Sequence, residues 1–409
     1  MLLQNRNVIL IYAISFIDLL AIGLTFPLLY PHIRSLGASH MVVGIFGSTY
    51  SGLQVLSGPV IGSWSDLKGR RFVAVITLAI SCLCYFLIGL TSSLGFIFFL
   101  RIVLGFVKHT QTLCKAIIGD VLPREKHAEV FGRSAAISSL GFVVGPIIGG
   151  HLSELSHGFS YVCTLTAVLF IINIGFIYSI PDTSKNAKNK QNNSFTIKKF
   201  GNELLRAVAE LMKIDWKVYW DAFFLRFLFG FSISIYFSNQ AIYIQEKFDL
   251  SQRYIGYTIS FLSIIGSLAG LMLGYITNRF YKNDFNCSKR LFHGFATICI
   301  TFIGLYYAPN ITIFVMFLIP FGISNTILRI VSMEVILSRS GNKDRGSLSG
   351  ASNSVMSVAR FISPITSGII GDTVGENAVV LSAFAPALLG SLLCVKLMYK
   401  NHVIHSKSD

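Results

Sequence analysis

Long apolar runs recur along the whole sequence, and they limit its possible folds more than any other feature. A helix needs roughly 20 apolar residues to cross a bilayer, and twelve runs reach that length. They cover residues 8–30, 40–63, 71–91, 95–118, 128–152, 159–180, 219–245, 252–277, 290–308, 311–337, 347–371 and 376–399. A soluble domain of 409 residues could not bury a composition that is 53% hydrophobic and 13% charged. We therefore predict an all-α membrane protein with twelve transmembrane helices.

Basic residues are unevenly divided among the segments that join these runs. With the N-terminus placed in the cytoplasm, cytoplasmic segments hold 25 lysines and arginines, and the opposite segments hold only Arg34, Lys247 and Arg253. Because cytoplasmic loops accumulate lysine and arginine, both termini are predicted to be cytoplasmic, in the plasma membrane or an internal membrane. The net charge of +15 reflects this bias, and we do not expect nucleic acid as a partner.

One long polar segment divides the runs six and six. We predict an N-terminal six-helix bundle over 1–180, a cytoplasmic linker over 181–217, and a C-terminal bundle with a cytoplasmic tail over 218–409. The second part of the linker, from Phe195, has apolar residues at helical spacing, which indicates an amphipathic helix on the membrane surface.

The two halves are related in sequence. GRSAAISSLGFVVGPIIGG from Gly132 aligns without gaps on GASNSVMSVARFISPITSG from Gly350, an offset of 218, and Gly62 falls on Gly274 at an offset of 212. Repeats of this kind, in equivalent spans of two halves, are typical of a large class of secondary transporters.

A charged joint, GSWSDLKGRR, separates the second and third runs. Asp66 could accept hydrogen bonds from the N-terminus of a neighbouring helix, and Gly69 could form the turn. Two interpretations remain open: an ordinary charged turn, or a latch between helices that changes strength during transport. The candidate latch residues are Gly62, Asp66, Gly69, Arg70 and Arg71.

This joint resembles the G-x-x-x-D-x-x-G-R-R/K loop of the major facilitator superfamily. RIVLG from Arg101 resembles the fourth-helix motif of that family, and GFVVGPIIGG from Gly141 resembles its antiporter motif. SLGAS at 35–39 and KHT at 108–110 are similar to the animal group called major facilitator superfamily domain-containing protein 9, which lies near tetracycline-type and other drug:proton antiporters. The resemblance implies two pseudo-symmetric six-helix bundles and transport by alternating access. Asn278 stands where the repeat would place an acid, so we expect a weaker or absent latch in the second half.

Ionisable side chains inside the predicted spans are the candidate cavity residues, since each costs at least about 2.5–3.5 kcal/mol at the bilayer centre. They are Asp18, Arg101, Lys108, Lys115, Arg226, Arg329, Glu334 and Arg360. Asp18 and Lys108 both fall near mid-membrane, on spans that line the central cavity in the family resembled, and we predict that they share it. Three of the cations, at positions 101, 108 and 115, are seven apart. On one continuous helix they would form a stripe, which Gln111 extends. Alternatively, the outer two reach opposite interfaces and only Lys108 is buried.

Asp18 is the candidate for proton coupling, because a carboxylate changes its proton affinity as its surroundings alternate between dry and charged. The alternative is a static ion pair that only orients helices. Glu334 is expected to meet a cation from another helix, with gating as its first role and substrate contact as its second. Arg226 and Arg360 are expected to be structural or cavity-lining. Six cations against two acids favour an anionic substrate.

Glycines in the fifth span recur at i, i+4 and i+8, a spacing that allows close helix packing. The motif residues are Gly141, Gly145, Pro146, Gly149 and Gly150. Proline removes a backbone donor and bends the helix. The resemblance implies that this helix seals the cavity against proton leak, and the alternative is packing alone.

The predicted function is secondary active transport of a small organic solute, coupled to protons and running as an antiporter. We expect a monomer in the lipid bilayer whose partners are a small-molecule substrate and protons, with no cofactor and no metal. No G-x-x-x-x-G-K-[ST] loop is present to hold ATP. We also expect that the protein is not an enzyme. The alternative function is a non-transporting receptor, solute sensor or scaffold on a transporter fold.

Overall fold

The computed structural model of the protein describes residues 2–180, 216–282, 284, 286–339 and 345–405, and every regular element in them is helical. The helices of the first half are α1 (Leu2–Ser35), α2 (His40–Lys68), α3 (Arg70–Leu90), α4 (Leu94–Val107), α5 (Thr110–Val121), α6 (His127–Ser153) and α7 (Gly158–Tyr178). Those of the second half are α8 (Trp216–Phe248), α9 (Gln252–Phe280), α10 (Ser288–Tyr307), α11 (Ile311–Ser338), α12 (Arg345–Thr373), α13 (Glu376–Ser382) and α14 (Phe384–His405).

These helices account for the twelve predicted spans, because two of the spans are broken. The fourth span consists of α4 and α5, and the twelfth consists of α13 and α14. Ten spans are long and apolar enough to cross a membrane by length and composition, and α2 and α10 complete the twelve. The prediction of a twelve-helix membrane protein is confirmed. The amphipathic helix proposed for the linker lies outside the described residues, which resume at Trp216.

The described residues form two compact units. The first contains residues 2–38, 49–180 and 250–260, and the second contains 39–48 together with the described residues of 216–249 and 261–405. The first turns of α2 therefore pack within the second unit, and the first turns of α9 pack within the first. Each unit therefore differs from the predicted bundle by one short helix segment that comes from the other half of the sequence.

The helix starts reproduce the repeat found in the sequence. His40 begins α2 and Gln252 begins α9, an offset of 212. Gly158 begins α7 and Glu376 begins α13, an offset of 218. Both offsets are those of the sequence alignment, so the repeat relates whole helices of the two halves.

In the first unit, α1 packs on α6 through small residues. A Cβ on Gly145 would lie 2.8 Å from the Cα of Gly23 in α1, and Cβ atoms on Gly141 and Gly149 would overlap carbonyl oxygens of α1. Any larger residue at these positions would force the two helices apart. The glycine face of the fifth span is therefore the face that contacts α1.

In the second unit, buried aromatic rings join three helices. The ring centroid of Phe321 in α11 lies 4.8 Å from that of Tyr236 in α8 and 5.6 Å from that of Phe302 in α10. All three side chains are fully buried. Rings at these separations add specific edge and tilted contacts to the apolar area that they bury, and they hold the three helices together.

Candidate functional site

The fourth span is interrupted at Lys108 and His109. Their backbone angles, φ −77° and ψ 76° at Lys108 and φ −123° and ψ 25° at His109, leave the helical region. Gln54 of α2 donates to the carbonyl oxygen of Lys108 at 3.1 Å, which satisfies an acceptor at the break. The prediction of one continuous stripe is wrong for this reason, since seven-residue spacing aligns side chains only along an unbroken helix.

The break brings the amine of Lys108 onto the carboxylate of Asp18 in α1. The Lys108 Nζ donates to Asp18 Oδ1 and, at 3.1 Å, to the hydroxyl oxygen of Thr110. It also lies 4.2 Å from the ring centroid of Phe170. The side chains of Asp18 and Lys108 are only 1% and 3% exposed. A charge pair buried this deeply persists only when each partner is compensated by the other and by further hydrogen bonds.

Gln111 compensates the second oxygen of the same carboxylate. Its side-chain nitrogen donates to Asp18 Oδ2 at 3.1 Å and to the carbonyl oxygen of Ser15 at 3.3 Å. Ser134 of α6 donates in turn to the hydroxyl oxygen of Ser15 at 3.1 Å. Both oxygens of Asp18 are thus held by donors from α5 and the break.

The other two cations of the predicted stripe lie elsewhere. Arg101 is buried, and its guanidinium carbon lies 3.9 Å from the ring centroid of Tyr50 in α2. Lys115 is exposed. Only Lys108 reaches Asp18. Tyr50, like Thr110 in the pair itself, was not predicted from the sequence, because aromatic and hydroxyl residues are common in any membrane helix.

The charged joint between α2 and α3 forms contacts within the first unit. Gly69 has φ +100°, the left-handed conformation that glycine allows. Arg70 pairs with Asp66 one turn earlier and donates its Nε to Asp120 Oδ2 at the end of α5, at 3.1 Å. The expected acceptance of a helix N-terminus by Asp66 is replaced by this pair with Arg70. Asp120 was missed because it lies at the far end of another span.

Two further latch candidates lie beside this pair. Gly62 accepts a long hydrogen bond from Arg70 Nη1 at 3.5 Å through its carbonyl oxygen. Arg71 contacts other groups: its guanidinium carbon lies 4.8 Å from the ring centroid of Tyr178, and its Nη1 donates to the carbonyl oxygen of Ile180 at 3.5 Å. Arg70 is therefore the residue on which the joint's polar contacts converge.

The second unit has its own charge cluster near the corresponding loop, and the weaker or absent latch expected there stays a prediction. Arg290 of α10 donates to Asp284 Oδ2 at 3.3 Å and to both oxygens of Glu334 in α11 at 3.0 Å. Glu334 thus meets a cation from another helix. Burial is the largest influence on the Cys287 thiol, which lies between these charges, and it raises the pKa of that thiol to about 12. The repeat alignment missed this cluster because its acids lie at positions other than Asn278.

Three arginines of the second unit interact as like charges. Arg226 is buried and donates to the carbonyl oxygen of Arg329 and to the hydroxyl of Ser332, both at 2.8 Å. The positive charges of Arg329 and Arg360 repel its guanidinium, and both of these side chains are exposed. Among the described residues, none of the three has a carboxylate within ion-pair distance. Groups of unopposed cations of this kind attract anions.

A comparison with protein families shows which family the chain belongs to. Residues 11–364 match the profile of the Major Facilitator Superfamily. The chain belongs to this family. It is accordingly an integral multi-pass membrane protein and a secondary active transporter, not an enzyme, as predicted from the sequence.

One relative matches nearly the whole chain, and another matches about half of it. The quinolone resistance protein NorA of Staphylococcus aureus is 24% identical over 406 residues, which is 98% of each protein. The class E tetracycline resistance protein of Escherichia coli is 26% identical over 214 residues, about half of each.

Solved structures show the same fold. The nucleoside transporter NupG superposes with a TM-score of 0.77 at 17% identity, covering 95% of this chain and 99% of NupG. The human organic anion transporter MFSD10 superposes with a TM-score of 0.66 at 19% identity, covering 96% of this chain and 99% of the other.

Proposed function

We propose that this chain exchanges protons for a small organic solute, with Asp18 as the proton carrier and Lys108 as its counter-charge. The buried pair between these two side chains is the observation that carries the proposal. Titratable groups deep in membrane helices are expensive to retain and commonly mark proton or substrate pathways. A purely structural contact between α1 and the fourth span could be made by apolar side chains at lower cost.

Protonation of Asp18 would change the balance of this site. The neutral acid no longer compensates Lys108, whose ammonium is then buried without its counter-charge, an unfavourable state. The break at Lys108 and His109 interrupts the helical hydrogen bonds of the backbone. A proton on Asp18 would therefore favour movement of Lys108 and of the two half-helices that flank it, which couples proton occupancy to conformation.

Exchange follows if the solute and the proton bind Asp18 in turn. A hydrogen-bond donor of the solute would compete with the proton for this carboxylate. The transporter would therefore change the side to which its site opens with either the solute or the proton bound. Close packing of Gly141, Gly145 and Gly149 on α1 supports this scheme, because it leaves no room for a water path between α1 and α6.

An anionic group on the solute is the second part of the proposal. Arg226, Arg329 and Arg360 supply positive charge on three helices of the second unit, and a carboxylate is the natural partner of a guanidinium. We also propose that both termini are cytoplasmic, on the charge distribution of 25 against three, and that the transporter works as a monomer.

Flux into proteoliposomes tests the coupling. The probes are radiolabelled p-aminohippurate, an aromatic carboxylate, and radiolabelled tetraethylammonium, a cation, with protein-free liposomes as the background. We expect an acidic interior to accelerate p-aminohippurate uptake and a protonophore to remove the acceleration. Asp18→Asn should make uptake insensitive to the gradient. If uptake by Asp18→Asn still responds fully to the pH gradient, Asp18 forms only a static ion pair. Acceleration of uptake by an alkaline interior would indicate symport in place of exchange.

A further inference from the structure

Three side chains from distant parts of the chain meet at one end of the second unit. His40 begins α2, Glu246 lies near the end of α8, and Glu376 begins α13. One ligand atom from each, an imidazole nitrogen or a carboxylate oxygen, lies within 4.8 Å of the others. No single stretch of sequence could reveal this group, because its members belong to three separate elements.

The position of His40 is fixed by its surroundings. Asp372 accepts the backbone N–H groups of His40 and Met41 at 2.8 and 3.0 Å, so it holds the first turn of α2. The imidazole Nδ1 contacts Glu376 Oε1, and these side chains are only 10% and 6% exposed. A Cβ on Gly371 would lie 2.9 Å from the Cβ of His40 and 3.0 Å from Glu376 Oε1. The absence of a side chain at Gly371 therefore makes room for the pair.

The group has the chemistry of a cation site. With a neutral imidazole, Glu246 and Glu376 place two negative charges beside one nitrogen ligand. The adjacent cation, Lys247, is directed elsewhere, since its amine donates to the carbonyl oxygen of Leu305 at 3.0 Å and to that of Tyr306. Histidine combined with carboxylates is a ligand set of zinc and related divalent ions. Glu246 is exposed, which gives an ion a path from solution.

Comparison with the first unit separates this group from the packing of the fold. At the offset of 218, Asp372 corresponds to Glu154, which accepts a hydrogen bond from the Ser251 hydroxyl at 2.6 Å beside the start of α9. The acid that holds the incoming helix is thus present in both units. The positions equivalent to His40 and Glu376 are Gln252 and Gly158. The repeated fold therefore forms without these ligands, and their presence in one unit calls for another explanation.

We propose that His40, Glu246 and Glu376 bind a divalent transition-metal ion of the zinc class. Ligand atoms around a tetrahedral zinc ion lie about 3.4 Å apart, as its bond lengths of roughly 2.0–2.2 Å require. The contact between His40 and Glu376 would have to lengthen to reach that spacing, and since all the ligand atoms lie within 4.8 Å of one another, small side-chain movements are enough. Water would complete the coordination. A bound ion would tie the first turn of α2 to α8 and α13. The proposal goes beyond proton exchange and does not depend on it.

Binding of the metal alone provides the test. Purified full-length protein is stripped with EDTA and titrated with ZnCl2, with MgCl2 and CaCl2 as comparison ions, while its Tm is recorded. We expect Zn²⁺ to raise Tm in a saturable way that EDTA reverses, and Mg²⁺ to have little effect because it prefers oxygen ligands in octahedral geometry. His40→Gln and Glu376→Gln should each weaken Zn²⁺ binding by at least about 10- to 100-fold, since even outer partners of metal ligands contribute that much.

Glu154→Gln is the matched control, because it removes an acid at the equivalent end of the first unit. It should leave Zn²⁺ affinity unchanged. A second readout guards against variants that fold poorly: Cu²⁺ bound to the wild type should show nitrogen hyperfine coupling in its EPR spectrum, and His40→Gln should lose it. The proposal is overturned if the wild type shows no saturable Tm shift. It is equally overturned if His40→Gln and Glu376→Gln both retain wild-type affinity, or if Glu154→Gln alone abolishes binding.

Discussion

Gly256 of α9 lies so close to the carbonyl oxygen of Pro146 in α6 that a Cβ on the glycine would overlap that oxygen. Gly44 of α2 has the same relationship to Pro364 of α12. The glycines are 212 residues apart and the prolines 218, the two offsets of the sequence repeat. Each unit therefore contains the same tight helix crossing, with a glycine set against the backbone of a proline.

Replacement of Gly256 by alanine should disturb this crossing. The added methyl group has backbone in front of it and cannot rotate away, and overpacking of this kind costs about 1–3 kcal/mol. Gly256→Ala is expected to lower the Tm of the purified protein. Gly274→Ala on the same helix is the control, because a Cβ there meets nothing within 4 Å, and alanine should be neutral or slightly stabilising. Equal Tm values for the two variants would contradict the crossing as described.

Single substitutions in the buried pair should destabilise the protein more than the double substitution. Asp18→Asn or Lys108→Met leaves one buried charge uncompensated, at a cost of about 3–5 kcal/mol. The double variant removes both charges and should recover much of that loss. Unfolding titrations in SDS measure the free energies. Glu129→Gln is the comparison, since the Glu129–Arg133 pair is largely exposed and such pairs contribute at most about 1 kcal/mol. Additive losses would mean that the two side chains do not interact.

The spans were predictable because a bilayer imposes the same requirement on every helix, a run of apolar residues of fixed length. Depth along two antiparallel spans was enough to suggest that Asp18 and Lys108 lie at one level. The break at Lys108 and His109 was not predictable, since neither residue is a glycine or proline and the carbonyl there is satisfied by Gln54 from another helix.

Clusters assembled from several helices were only partly predictable: the sequence indicated a cation from another helix for Glu334 but did not identify it as Arg290. Arg290 forms ion pairs with Asp284 of a loop and with Glu334 of α11. The repeat alignment gave no reason to connect these residues. Asn278 stands where the repeat would place an acid like Asp66, and the acids of the second half that pair with Arg290 are Asp284 and Glu334. Spacing along one chain indicates faces of single helices, and contacts between helices depend on crossing geometry that spacing does not contain.

Substitutions at the joint between α2 and α3 should separate a latch from an ordinary charged turn. The side chains of Asp66 and Asp120 are 55% and 41% exposed, so their pairs with Arg70 contribute at most about 1 kcal/mol to stability. Asp66→Asn and Asp120→Asn should therefore leave Tm nearly unchanged. A marked loss of solute flux in proteoliposomes at wild-type Tm would support a latch. Wild-type flux in both variants would reduce the joint to a turn.

Cys287 should report on the charge cluster of the second unit. With its pKa raised to about 12 by burial, the thiol carries roughly a thousandfold less thiolate at pH 8 than an ordinary cysteine with a pKa near 8.5. A variant that keeps Cys287 as its single cysteine is expected to react slowly with maleimide in the folded protein and rapidly after denaturation in SDS.

Glu334→Gln should accelerate this labelling. The Glu334 carboxylate raises the thiol pKa through its charge and through the contact between Cys287 Sγ and Glu334 Oε1 at 3.5 Å. Removing that charge lowers the thiol pKa, and the charge of Arg290, which also lowers it, is then no longer offset by Glu334. The labelling rate should therefore rise across pH 7–9, whereas Glu129→Gln should not change it. A rate that is already fast in the unsubstituted background would show that Cys287 is not enclosed by Arg290 and Glu334.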